Sequence, residues 1–95
     1  MPCCNLSLQI VPMTESQKVY PIVDKVIQLI HDTGLPYRVG PMETTIEGEL
    51  EQLLPIVQQS TELAVKLGAS RVLAVVKIDY KPEGVTMKEK MESYE

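Results

Sequence analysis

Residues 4–11 read Cys4-Asn5-Leu6-Ser7-Leu8-Gln9-Ile10-Val11. Leu6, Leu8 and Ile10 alternate with Asn5, Ser7 and Gln9. Successive strand residues point to opposite faces, so this segment is a strand with one apolar and one polar side. Pro12 is expected to end it, because proline brings no N–H to a ladder. A strand of this kind suits an antiparallel sheet packed on one face only.

The flanking segments supply the packing. Val19, Ile22, Val23, Val26, Ile27 and Ile30 recur at spacings of three and four, one stripe of a helix. Thr14 or Ser16 is placed to cap its start and Gly34 to end it. Pro21 is tolerable only near the first turn, so the helix is expected to begin at about Val19. Leu35 to Val39 reads as a short strand, Gly40-Pro41 as a break, and Thr44 to Glu47 as a second β-branched strand close enough for a hairpin. Gly48 is expected to open a second helix, with Leu50, Leu53, Leu54, Val57, Thr61, Ala64 and Val65 on its apolar stripe and Gly68 closing it. Pro55 is expected to kink that helix. Residues 71–80 are apolar almost throughout and read as a strand covered on both faces. After the loop Lys81-Pro82-Glu83-Gly84, Thr86 and Glu89 match a capping box. Met87, Met91 and Tyr94 then line one side of a short helix. Such a helix is not stable alone and must dock, within the chain or on a neighbour.

The order is strand, helix, strand, strand, helix, strand. Two interleaved right-handed crossovers give an α+β, ferredoxin-like βαββαβ sandwich: a four-stranded antiparallel sheet with both helices on one face, plus the C-terminal helix. The first and third strands are central. Leu6, Leu8, Ile10 and Ile46 face the helices, and Asn5, Ser7, Gln9, Thr45 and Glu47 face away.

Length and composition bound the function. The 95 residues suffice for one domain, spanning 1–95. With no Phe and no Trp, the core is built from Ile, Val, Leu and Met. The net charge of −4 and the lack of a Lys/Arg cluster argue against nucleic acid as a partner. No signal-peptide pattern is visible, and no apolar run approaches the ~20 residues that cross a bilayer. A cytoplasmic protein without membrane insertion is the expectation. Cys3 and Cys4 are adjacent, and neighbours in a strand point to opposite faces, so they are not expected to pair with each other; a metal site wants more ligands, spaced apart. They read as structural or incidental. His31 falls on the polar side of its helix.

The polar sheet face is the feature with chemical content. Ser7, Gln9, Thr45 and Glu47 offer hydroxyls, an amide and a carboxylate, with Lys77 and Asp79 bordering them. A second sheet stacked on this face would close a polar pocket with apolar walls. The same pattern also describes a plain solvated face or a subunit interface. A catalytic reading finds no nucleophile–base set, no tuned carboxylate pair and no nucleotide fingerprint. Neither catalytic nor metal-binding residues are expected.

One long stretch carries a resemblance. Gly34-Leu35-Pro36-Tyr37-Arg38-Val39-Gly40-Pro41-Met42-Glu43-Thr44-Thr45-Ile46-Glu47-Gly48-Glu49 resembles the signature of the YkoF-like thiamine-binding proteins. Gly68-Ala69-Ser70-Arg71-Val72, Lys77-Ile78-Asp79 and Thr86-Met87-Lys88-Glu89-Lys90-Met91 agree with it. The turn Tyr80-Lys81-Pro82-Glu83-Gly84 departs from the arginine-rich turn of many relatives. The resemblance implies a ferredoxin-like fold, a homotetramer built as a dimer of dimers with stacked sheets, and non-catalytic binding of thiamine or its hydroxymethylpyrimidine moiety. Transport, salvage or storage are the implied roles, with no cofactor beyond that ligand. The residues expected at the site are Ser7, Gln9, Tyr37, Thr44, Thr45, Glu47 and Asp79. Glu47 is assigned to the ligand's charge or amine, and Tyr37 or Tyr80 to its ring or cation. The lack of a basic phosphate pocket points to the unphosphorylated form.

Overall fold

The two-residue period of residues 4–11 becomes the central strand of the sheet in a computed structural model that describes residues 2–94. In chain order the elements are β1 (Cys3–Met13), α1 (Ser16–Asp32), β2 (Tyr37–Val39), β3 (Thr44–Glu49), α2 (Leu50–Lys66), β4 (Arg71–Asp79) and α3 (Met87–Met91), followed by a turn of 3-10 helix at Glu92–Tyr94. The strands lie in the order β2-β3-β1-β4, all neighbours antiparallel. This is the ferredoxin-like α+β arrangement, with β1 and β3 central.

Register fixes the inner face. Leu6 stands opposite Ile46 on one side and Ile78 on the other, and Leu8 lies between Thr44 and Val76. Ile22, Val26 and Ile30 of α1 and Leu53, Ile56 and Ala64 of α2 close over that row as one apolar cluster. Cys4, Leu6, Ile46, Leu53 and Ala64 have no exposed surface at all.

Several boundaries differ from those read in the sequence, each for a local reason. β1 runs through Pro12 to Met13. Its pairing with β3 stops at Leu8, so at Pro12 one side of the strand has no neighbour to miss an N–H. α1 starts at Ser16 rather than near Val19, its N-cap is Glu15, and neither Thr14 nor Ser16 provides a capping side chain. Pro21 and Pro55 both fall in the second turn of their helices and on the solvent side, where water can reach the carbonyl each one leaves unbonded. Gly48 belongs to β3, and α2 opens at Leu50 with Glu49 as N-cap, in a capping box with Gln52. The buried stripe of α2 is Leu53, Ile56, Ser60 and Ala64, whereas Leu54 and Val65 are about half exposed. Both helices end at a glycine with positive φ, Gly34 and Gly68, a conformation that favours glycine.

β4 is an edge strand. Val72 and Ala74 pack against the core, but Leu73, Val75, Val76 and Ile78 remain substantially exposed, so within one chain neither face of the strand is fully covered.

Leu6→Ala should destabilise the fold by about 2–5 kcal/mol in urea unfolding, as truncation of a fully enclosed leucine does. Ser60 is equally enclosed, yet its hydroxyl has no partner among the described residues. Ser60→Ala removes that orphan and improves helix propensity, so it should raise stability by about 0.5–1 kcal/mol in the same measurement.

Candidate functional site: the polar sheet face under the C-terminal helix

Pairing lays the outer face of the sheet out in rows. Asn5 lies between Glu47 of β3 and Asp79 of β4. Ser7 lies between Thr45 and Lys77, and Arg38 of β2 extends that row beyond Thr45. Gln9 lies opposite Val75, past the end of the β3 pairing.

The chain then returns over this face. Gly84 closes a turn on the Lys81 carbonyl, and the Val85 amide donates to the Cys3 carbonyl at 2.8 Å. Thr86 caps α3 by accepting from the Glu89 amide at 3.2 Å. The Met87 amide donates to Glu47 Oε1 at 2.6 Å. Lys90 Nζ sits 2.6 Å from Asp79 Oδ2. Three short contacts therefore moor a helix of only five residues, none of them buried. The methionines of the stripe turn toward the sheet, while Tyr94 stays 80% exposed and takes no part in the docking.

Between this segment and the sheet lies a cavity of about 490 Å³. Asn5, Ser7 and Thr45 contribute its polar floor, and Met87 and Met91 contribute apolar wall. Arg38, Lys77 and Lys90 stand beside Glu43 and Asp79, so the charge around the opening nearly balances. The sequence showed no basic cluster because these three cations come from three separate elements.

Of the residues expected at the site, Ser7, Thr45 and Asp79 come together at the cavity. Glu47 is on the same face, but its Oε1 already accepts the Met87 amide and, at 3.4 Å, the Asn5 side-chain amide. It acts first as a strut for α3. Gln9 shares the face but lies outside this cavity. Tyr37 and Thr44 do not join it. Tyr37 pairs with Ile46 and Thr44 with Leu8, both inner-face residues, so the strand period turns them toward the helices. Thr44 is buried there, and the Tyr37 hydroxyl lies 2.9 Å from His31 Nδ1. The cavity is also lined by Asn5, Arg38, Glu43, Ile78, Met87, Lys90 and Met91, which are not among the expected site residues. Alternation alone places Asn5 on the right face. Arg38, Glu43 and the α3 residues depend on how the β2–β3 hairpin and α3 fold over the sheet, and Ile78 on the pairing of β4.

The cysteines stay in the background. Burial, then the negative charge of Glu47, pushes the Cys3 thiol above its ordinary range, and burial followed by Asp79 does the same to Cys4. Little thiolate forms at neutral pH, so neither is an activated nucleophile.

Glu47→Ala should strand the Met87 amide and the Asn5 side chain, costing about 1–3 kcal/mol in denaturant unfolding. Hydrogen exchange at Met87 should accelerate while the α2 amides stay protected. Glu47→Gln keeps an acceptor oxygen and should recover most of the loss. Unchanged exchange at Met87 in the alanine variant would show that α3 is held by other contacts.

Known proteins share this sequence pattern and fold. The chain is 53% identical over 94 residues to a UPF0045 protein of Clostridium perfringens, covering 99% of each. A solved domain of unknown function, DUF77, from Bacillus cereus superposes with a TM-score of 0.93 at 40% identity, covering 99% of this chain and 91% of the other. A Thermotoga maritima structure, provisionally assigned to thiamine biosynthesis/salvage, also gives a TM-score of 0.93, at 33% identity over 99% of this chain and 100% of its own. Residues 6–95 match the family model described as thiamine-binding protein, and the chain belongs to that family.

Proposed function

We propose that this protein binds thiamine or its hydroxymethylpyrimidine part in the cavity between the outer sheet face and α3, and returns it chemically unchanged. The observation that carries this reading is the cavity's make-up: a polar floor, a methionine wall and nearly balanced charge, in a chain of the thiamine-binding family. Its volume of about 490 Å³ lies within the ~300–1,000 Å³ typical of small-molecule sites. Methionine sulfur packs well against flat aromatic rings, and Met87 and Met91 offer two. Ser7 and Thr45 supply hydroxyls that donate or accept along a pyrimidine edge, and Asp79 supplies a carboxylate partly engaged by Lys90. Gln9 and Glu47 border the same face. The balanced charge favours the unphosphorylated ligand, because a diphosphate needs a surplus of donors and cations. No described helix is long and apolar enough to cross a membrane. Carriage, salvage or storage in the cytoplasm is the role proposed.

The exposed apolar residues of β4 bear on assembly. Leu73 and Val75 flank the cavity face and Val76 and Ile78 the other, along an edge with open hydrogen-bonding groups. A second copy covering this strand would seal the face, and a dimer of dimers is the proposed assembly.

Titration calorimetry should give saturable heat with thiamine or hydroxymethylpyrimidine, and at least about tenfold weaker binding of thiamine diphosphate. No heat from any of the three would leave the outer face as an interface alone. Light scattering at low micromolar concentration should give the mass of a tetramer; a monomer would remove the proposed sealing.

A further inference from the structure

A residue that lines the cavity carries a buried acceptor without a partner among the described residues. Asn5 is only 3% exposed, and its Oδ1 is enclosed without a hydrogen-bond partner among the described residues. Buried amide oxygens are normally satisfied, so each exception calls for a cause. Turning the amide over does not remove this one. In the observed orientation Asn5 Nδ2 donates to Glu47 Oε1. The reverse orientation would press Oδ1 against that carboxylate, which cannot donate. Glu47 cannot easily turn away, because the Met87 amide holds the same oxygen. The other cross-strand neighbour, Asp79, is also a carboxylate and is occupied by Lys90. Both neighbours are acceptors. The donor that completes Asn5 has to come from outside this row, and Asn5 lines the cavity.

We infer that Asn5 is the specificity-determining residue of the site: its Oδ1 accepts a hydrogen bond from a ring amino group of the bound heteroaromatic, with Glu47 as the positioning residue that fixes the amide. This inference rests on the proposed function and adds the contact that selects the ligand. An aminopyrimidine carries such a donor on its edge. A ring with hydrogen, or with a carbonyl-type acceptor, at that place leaves Oδ1 unmatched. Sites built around a hydrogen bond to the substrate reject analogues lacking it more strongly than apolar pockets reject a missing methylene. Oδ1 is closed off in this structure, so the incoming donor reaches it only as its cover gives way. The Asn5 backbone is fixed mid-ladder between two strands, whereas Met87 and Met91 on the cavity lining are unbranched and adaptable. Recognition falls to the sheet, and accommodation of the ring falls to α3.

The test is calorimetry with two probes, hydroxymethylpyrimidine bearing its ring amino group and the analogue with hydrogen in its place, on the wild-type chain and on Asn5→Ala. Wild type should prefer the amino probe by about tenfold or more. In Asn5→Ala that ratio should fall to within about twofold. A wild-type ratio near one, as an ordered water on Oδ1 would give, overturns the assignment, and so does a ratio that survives in the variant. In either case binding itself, and with it the proposed function, still stands. Wild type that binds neither these probes nor thiamine ends both. If Asn5→Ala does not fold, the wild-type Asn5 side-chain amide resonances answer instead. They should shift on adding the amino probe and stay in place with the analogue at equal occupancy.

Discussion

The alternation of β1 is the constraint on which everything else rests. One strand supplies the centre of the core through Cys4, Leu6, Leu8 and Ile10, and the floor of the cavity through Asn5 and Ser7. A slip of one residue would exchange the two sets, burying Asn5 and Ser7 under the helices and turning the leucines outward. The apolar half of the strand therefore enforces the position of the polar half. Leu6 is locked between Ile46 and Ile78, and this lock sets Asn5 between Glu47 and Asp79 one residue away. Folding energy from the inner face is thereby converted into positional precision on the outer one.

Glu47 carries that precision across to the C-terminal segment. A carboxylate on an open sheet face is ordinarily a solvated charge. Here it accepts a backbone amide from α3 and a side-chain amide from Asn5, so it joins a helix too short to be stable by itself to the most constrained strand in the molecule. The Lys90–Asp79 pair does the same from the other side of Asn5, though both partners are about half exposed and such pairs contribute little. The segment is thus held mainly by hydrogen bonds that depend on the register of β1 and β3. Its apolar contribution is two methionine side chains facing a cavity rather than a packed core. That combination gives a cover with a fixed anchor and a soft surface.

What the sequence made legible follows the range of the forces involved. The strand and helix order, the central place of β1 and β3, and the outward set Ser7, Thr45 and Glu47 all follow from periods of two and 3.6, which are local. Thr44 stands two residues from Ile46 in β3, so alternation alone turns it inward, against its expected place in the site. The parity of Tyr37 is decided by pairing with Ile46 across strands, since a three-residue strand such as β2 is too short to display a period of its own. The α2 stripe shifted by one position because Ser60, a polar residue, lies on its buried side, and hydrophobic patterning passes over it in favour of Val65. In the sequence Glu47 reads as a ligand residue, since nothing local shows that a backbone amide forty residues later claims it.

Ser60 and Asn5 show how like features separate by surroundings. Each leaves one buried polar oxygen without a partner. Each such oxygen costs about 1–3 kcal/mol when left unmet. Ser60 sits on the side of α2 that packs into an aliphatic core with no route for a donor, so its cost is a plain defect of packing. Asn5 sits on the wall of an open cavity, and its other amide atom is bound by a carboxylate that is itself pinned. Both oxygens are enclosed, but only Asn5 belongs to a residue lining a cavity, so only there can a molecule that displaces the cover supply the matching donor. The deficit at Asn5 thus becomes binding free energy available only to a molecule carrying that donor, and the rigidity of the sheet prevents the deficit from relaxing away beforehand.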